Sequence, residues 1–385
     1  MTEVIIAGVG QTDVGEHWDV SLRELALRAI EAAVRDAGGV RPEALFVANM
    51  LAPALSGQSQ LAALVADFAG LSGIEAVTVE AAGASGGAAL RAGYLAVLSG
   101  QVDTALVVGV EKVTDTVGGK VEHALATALD ADYEAEHGLT LTAQAALLMG
   151  RYLHETGAPR EAFAGFPVTA HTNGAGNPHA MFRKAIKPET YARAGVVNPP
   201  LNLFDVAPFA DGAAAVLLTR EGILAERLEG PRVRISGSSL ATDTLALHDR
   251  RDLLDFAAVR ASVEAACRQA GVMPGDVDLF ELYDAFSIYA VLTLEAAGFA
   301  GRGCGWELSQ NGGISLGGKL PLMTFGGLKA RGNPGGATGV YQAVEAVLQL
   351  RGTAGPNQLP NARRALIQCL GGPASTVATH VLESI

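Results

Sequence analysis

Short apolar runs, mostly β-branched or rich in Ala and Val, recur along this chain, and segments of helical periodicity fall between them. That alternation is the strongest constraint on the fold, because strands that read as unbroken apolar runs must be covered on both faces. Residues 4–9 read as a strand, and 22–37 as an amphipathic helix stopped by Gly38 and Gly39. Residues 44–51 and 76–80 read as two further strands, the second running through small residues into a helical pattern over 87–99. Strands over 104–110 and 213–219 complete one layer. The rhythm then repeats with a strand over 232–236, a helix over 253–270 and a strand over 277–283 followed by a helix. A helix over 339–349 and strands over 365–369 and 376–382 close the chain. The expectation is an α/β protein of two similar halves, with a long insertion between Thr114 and about Asp211.

Composition agrees with large buried cores: of 385 residues, 49% are hydrophobic and 18% charged, which excludes a disordered chain. A formal charge of −12 argues against nucleic acid as the main partner. The three cysteines, Cys267, Cys304 and Cys369, do not suggest a disulfide framework, and the first and second read as structural. No basic leader opens the sequence, and the apolar runs are broken well short of the ~20 residues a membrane helix needs. A soluble, cytoplasmic protein is expected. The insertion carries Arg151, Arg160, Arg183, Lys184, Lys187 and Arg193. This local basic excess is either a solvated helical face or the rim of a pocket for an anion.

Several familiar chemistries are absent. Gly8-Val9-Gly10 follows the first strand, but the third glycine of a dinucleotide loop would fall on Asp13. There is no phosphate-binding Gly-x-x-x-x-Gly-Lys-Ser/Thr, no His-Glu-x-x-His, and no zinc spacing of Cys and His. A metal site is not expected. The informative segments lie at the ends of strands. Glu80-Ala81-Ala82-Gly83-Ala84-Ser85-Gly86-Gly87 joins a strand to a helix through tiny residues, which suits either an oxyanion site at the helix N-terminus or close strand–helix packing. Glu281-Leu282-Tyr283-Asp284-Ala285-Phe286 ends another strand, Gly326 to Gly339 precedes another helix, and Cys369-Leu370-Gly371-Gly372-Pro373 ends a further strand.

These four segments, in this order, resemble the thiolase superfamily, and most closely its sterol-carrier-protein-like branch. The resemblance covers essentially the whole chain, including Gly8-x-Gly10-x-Thr12, Gly109-Val110-Glu111-Lys112 and Asp211-Gly212-Ala213-Ala214-Ala215. It implies a thiolase fold: two similar ββαβαβαββ-type halves in a five-layer α-β-α-β-α arrangement with an inserted loop domain. The first half is then expected over 1–113, the loop domain over 114–210, the last strand region of the first half over 211–228, and the second half over 229–385.

Members of the superfamily that work through an acyl-enzyme carry Cys at the position matching Gly83, and glycine cannot hold an acyl group. Tyr283 stands where the family has His or Asn, and Asn333 where it has the His of a Gly-His-Pro motif. Retro-aldol cleavage needs no nucleophile. It needs a base for the β-hydroxyl proton and donors for the enolate that leaves. The resemblance therefore implies an acyl-CoA aldolase, similar to the thiolase-like aldolases that shorten steroid side chains together with a DUF35/OB-fold partner. In those a tyrosine matching Tyr283 is catalytic. A second one matches Asn333, where this chain departs from the pattern.

The implied roles are as follows. Tyr283 accepts or relays the β-hydroxyl proton, Asn333 donates to the thioester oxygen, and Cys369 protonates the enolate carbon unless it is an inert buried thiol. The backbone amides of Gly83 and Gly371 form an oxyanion hole, with Asp284, His179 and Arg183 as substrate-binding residues. CoA enters as part of the substrate, with no separate cofactor, and a homodimer within a hetero-oligomer is implied. Two alternatives stay open: a non-catalytic acyl-CoA or lipid-binding homologue, and an atypical acetyl-CoA acetyltransferase that uses Cys369.

Overall fold

A computed structural model describes residues 3–223 and 231–385. The expected boundary between 228 and 229 lies outside the described residues. The first half contributes β1 (Val4–Gln11), α1 (Leu22–Asp36), β2 (Ala44–Ala48), α2 (Leu61–Phe68), β3 (Glu75–Val79), α3 (Ser85–Ser99) and β4 (Thr104–Glu111). The following segment holds α4 (Gly119–Ala126), α5 (Leu141–Thr156), α6 (Gly165–Gly174), α7 (Pro188–Ala192) and the small hairpin of β5 (Val196–Asn198) and β6 (Leu201–Asn202). After β7 (Gly212–Arg220) come β8 (Val233–Thr242), α8 (Ala257–Ala270), β9 (Leu279–Glu281) and α9 (Ser287–Ala296). The chain ends with α10 (Thr338–Arg351), β10 (Arg364–Gly371) and β11 (Thr376–Ser384).

Nine of these strands hydrogen-bond in the order β3-β2-β4-β7-β1-β8-β11-β10-β9. The two halves meet at β1 and β8, through the pairs Ile5–Arg234 and Ile6–Val233. Helices α1 and α2 cover one face of the first half over Leu25, Ala29, Leu45, Val47, Leu106 and Leu217. Helices α3 and α10 fill the middle, joining Leu90 and Val340 to Val107, Val216 and Ile367 of both halves. Helices α8 and α9 close the far side over Val259, Val263, Leu292, Leu366 and Val377. This gives five layers, α-β-α-β-α. Helix α10 is buried on almost every side, as its position between the strands of the two halves requires.

Strand β8 runs six residues past the expected 236, to Thr242, because it stays paired with β11 as far as the Thr242–Thr376 pair. Three further elements differ from the sequence reading, each for a local reason. Strand β2 stops at Ala48, because the amides of Met50 and Leu51 turn away to the Glu111 carboxylate (2.9 and 3.0 Å). Helix α8 begins at Ala257 rather than 253, because Asp252 holds the Leu254 amide (3.0 Å) in a turn before it. Strand β9 spans only Leu279–Glu281, so Tyr283 lies beyond the ladder. The pair Gly8 and Gly10 is a packing device: a Cβ on Gly10 would lie 2.5 Å from the Ala33 amide of α1. Among the described residues no helix is long and apolar enough to cross a membrane, and no cluster of three metal-ligating side chains is present.

Candidate active site

Strand β3 delivers the chain to Ala81, and a single tight turn over Ala82–Ala84 starts α3. The turn is fixed by its own short polar side chains. Ser85 Oγ accepts from the Ala81 amide (2.8 Å) and donates to the Ala82 carbonyl (2.6 Å), while the Ala82 amide donates to Glu80 Oε1 (2.6 Å). The glycines of this run serve two purposes. A Cβ on Gly86 would stand 2.7 Å from the Gly339 amide, so Gly86 exists to let α3 touch α10. Gly83 instead faces a pocket.

That pocket, about 100 Å³, is lined by Gly83, Leu141, Tyr283, Phe286, Tyr289 and Asn333 among others. Tyr283 projects onto Gly83. A Cβ at position 83 would overlap the Tyr283 hydroxyl and would lie 2.8 Å from its Cζ and 2.5 Å from the Leu370 carbonyl. The hydroxyl therefore fills the space that any side chain at 83 would need. Burial, then the adjacent Cys369, pushes the Tyr283 phenol well above its ordinary value, while a side-chain hydrogen bond with Asn333 acts in the opposite sense. The phenol is consequently protonated across the physiological range.

Asn333 is held by its backbone, its amide donating to the Pro208 carbonyl (2.9 Å) and its carbonyl accepting from Ala210 (3.1 Å). Its Oδ1 accepts from Thr338 Oγ1 (3.3 Å), which directs the side-chain NH₂ toward Tyr283. The structure thus brings Gly83, Tyr283 and Asn333 together at one point. Gly372 lines the same pocket, whereas Gly371 pairs with Thr376 in the β10–β11 ladder.

Cys369 sits behind this group. Its Sγ packs against the backbone of Gly87 and Gly339, 3.5 Å from the Ala84 carbonyl, and burial pushes its thiol up to about 12. The sulfur is neutral and does not line the pocket. Asp284 also points away from it: Oδ1 accepts from the Leu328 amide (2.7 Å) and Oδ2 has no partner among the described residues. His179 and Arg183 are not brought to the pocket. His179 pairs with Asp13 (2.7 Å), and Arg183 donates to the Pro178 carbonyl (3.3 Å).

The motif residues around 111 and 211 brace the site instead of entering it. Glu111 takes amides from Met50, Leu51 and Gly336 and the side-chain NH₂ of Asn49 (2.8–3.0 Å), tying the loop before α10 to the end of β2. Asp211 accepts from the amides of Val113 (2.6 Å) and Thr114 (2.9 Å) and from Lys112 Nζ (3.3 Å). Among the pocket residues that the sequence reading passed over, Tyr289 stands out. Tyr289 is 1% exposed, its hydroxyl has no partner among the described residues, and its ring meets Phe286 edge-on at 5.0 Å. Its spacing three residues after Phe286, the residue that caps α9, brings the two rings together, the only sequence signal for it.

Comparison with known proteins defines the setting. Residues 4–222 match the thiolase N-terminal domain and residues 239–384 the thiolase C-terminal domain-like family. The chain belongs to the thiolase superfamily. An acetyl-CoA acetyltransferase of Methanothermobacter thermautotrophicus is 41% identical over 385 residues, covering 100% of both chains. A structure named as the Ltp2–ChsH2(DUF35) aldolase superposes with a TM-score of 0.86 over 99% of this chain and 98% of that one, at 24% identity. A monomeric SCP2-thiolase-like protein of Mycobacterium smegmatis superposes at 0.77 over 99% and 77%, at 22% identity. The last two likenesses speak to the fold. The superfamily is one of thiolase-fold enzymes acting on acyl-CoA.

Proposed function

We propose that this chain is an acyl-CoA aldolase that cleaves a β-hydroxyacyl-CoA to a ketone or aldehyde and a shortened acyl-CoA, with no covalent acyl-enzyme. The observation that carries this reading is the Tyr283 hydroxyl standing in the space a side chain at position 83 would occupy. In cleavage, the β-hydroxyl proton passes toward Tyr283, the Cα–Cβ electron pair moves into the thioester as an enolate, and the β-carbon leaves as a carbonyl. Asn333 and the backbone amide at Gly83 stabilise the enolate oxygen, and the α-carbon then takes a proton. Gly371, expected to share this role, is paired in the β10–β11 ladder and does not line the pocket. A phenol held neutral by burial acts as a relay: it takes the β-hydroxyl proton as its own proton passes, through a water, to the enolate α-carbon, and in the reverse direction it donates to the alkoxide. Cys369, expected to protonate the α-carbon, is neutral and stands behind the pocket wall, so in this reading it does not touch the substrate.

A pocket of about 100 Å³, with the space over Gly83 taken by the Tyr283 hydroxyl, suits a small β-substituent better than the steroid side chain the resemblance implied. The same reading takes a DUF35-type OB-fold protein as partner, by analogy with the aldolase named above, and a homodimer of this chain within that complex.

The acetyltransferase at 41% identity favours a second reading, in which Cys369 carries the acyl group. Against it stand the burial of the sulfur and its raised pKa, which disfavour the thiolate that would attack. The test is product analysis with paired β-hydroxyacyl-CoA and β-ketoacyl-CoA esters, with and without a DUF35 partner. Cleavage of the hydroxy series without added CoA is expected. CoA-dependent cleavage of the keto series alone would replace the lyase reading by the acetyltransferase one, and turnover of neither series with the partner present would leave a binding protein.

A further inference from the structure

A second pocket, about 430 Å³, lies on the other side of Val206 and Ala207 from Tyr283 and shares those two residues as a wall. Its volume is that of a small-molecule site. The walls are Phe182, Ile186, Val197, Leu203, Phe204 and Pro208, so most of its surface is apolar. The polar groups lining it are basic: Lys329, His171 and, at the rim, Lys184.

Lys329 is the unusual group. It is 2% exposed, and its only hydrogen-bond acceptor among the described residues is the Asp205 carbonyl (2.8 Å). No carboxylate among the described residues lies within ion-pair distance of its ammonium, although Asp284 and Asp205 act on it from farther away. The Asp205 carboxylate is already engaged by the Tyr191 hydroxyl (3.0 Å) and the Asn202 amide (2.9 Å). A buried ammonium with unfilled donors is costly unless something supplies acceptors. His171 beside it is 7% exposed, stacked on Phe182 (5.9 Å) and edge-on to Phe204 (5.6 Å), so its ring is fixed as part of the wall.

We propose that this pocket is a binding site for a carboxylate carried on an apolar body, with the carboxylate on Lys329 and the hydrocarbon against Ile186, Val197, Leu203 and Phe204. One ammonium in an apolar cavity suits a single negative charge, not a polyphosphate. Two sources share this chemistry, a free amphiphilic acid and the far end of a thioester whose acyl group ends in a second carboxylate. The inference does not depend on the reaction assigned to Tyr283, because binding alone tests it.

Decanoate and 1-decanol are titrated into the full-length protein by calorimetry. Decanoate is expected to bind one per chain and at least tenfold tighter than the alcohol, the increment of a charge-assisted hydrogen bond. Lys329→Met is expected to remove that tenfold preference while leaving decanol binding in place. Should Lys329→Met fail to fold, Leu203→Glu gives the same information, since Leu203 is 59% exposed at the mouth and a carboxylate there repels the ligand. In a second arm, decanoyl-CoA is compared with its ω-carboxy analogue. A tenfold preference for the analogue that disappears in either variant assigns the site to the substrate's far end, and no preference with decanoate still bound assigns it to a free acid. Equal binding of decanoate and decanol, or decanoate binding unchanged by both variants, overturns the proposal.

Discussion

Placing a methyl group on Gly83 is the most informative perturbation of the site. The added Cβ meets two obstacles at distances real Cβ atoms essentially never show: the Tyr283 side chain, with Cζ at 2.8 Å, and the Leu370 carbonyl of β10 at 2.5 Å. Overpacking of this kind costs about 1–3 kcal/mol, and with two rigid neighbours Gly83→Ala should fall near the upper end, ~3 kcal/mol. The two obstacles differ in kind. The carbonyl belongs to a strand paired along its whole length with β11 and cannot withdraw, whereas the tyrosine can be removed. In a Tyr283→Ala background the cost of Gly83→Ala should therefore drop to about 1 kcal/mol, a coupling of ~2 kcal/mol. Urea unfolding of the four proteins of the cycle measures it. If Gly83→Ala costs the same in both backgrounds to within about 0.5 kcal/mol, the two sites are independent and the hydroxyl does not occupy the space above position 83.

Other expectations follow from the same geometry. Tyr283→Phe should lower the rate of cleavage by roughly 10²–10⁴-fold while binding of the CoA ester is kept, read by single-turnover kinetics beside calorimetry. Tyr289→Phe removes a buried hydroxyl that has no partner among the described residues and should raise stability by about 1 kcal/mol in urea, whatever it does to turnover. Arg331 and Glu345 form a fully buried ion pair at 2.7 Å, so Arg331→Met should destabilise by about 3–5 kcal/mol because Glu345 is left uncompensated. Burial lowers His380 to about 4, with its Nε2 3.0 Å from the Gly87 carbonyl. The unfolded chain therefore binds the proton first as pH falls, and about 3 kcal/mol of stability should be lost between pH ~6.5 and ~4. His380→Gln should flatten that slope in urea unfolding run across the range.

Much of this architecture is legible in the sequence because its causes are local. The apolar runs of β1, β4 and β7 have no alternative to a doubly covered sheet, and their limits were read to within one or two residues. What was not legible depends on partners distant in sequence. The end of β2 is set by Glu111, sixty residues away, and an apolar Met50-Leu51 gives no sign of it. Gly83 and Gly86 look alike in the sequence, yet one opens a pocket and the other admits a helix, a difference that only Tyr283 and Gly339 decide. The convergence of Gly83, Tyr283 and Asn333 was legible through the family resemblance, since no spacing rule links positions so far apart. His179 was singled out from its local motif, but its partner Asp13 comes from the first turn of the chain and holds it elsewhere. Tyr289 and Lys329 read as ordinary helix and loop residues, and only their unfilled hydrogen-bonding capacity distinguishes them.

The measurement closest to the central claim is cleavage of a β-hydroxyacyl-CoA in D₂O, without free CoA and with a DUF35 partner, followed by mass spectrometry of small molecules and of the intact protein. The account predicts a carbonyl product, a shortened acyl-CoA carrying one solvent deuterium on its α-carbon, and protein of unchanged mass. An acylated protein, or cleavage that requires free CoA and leaves the hydroxy ester intact, would contradict it.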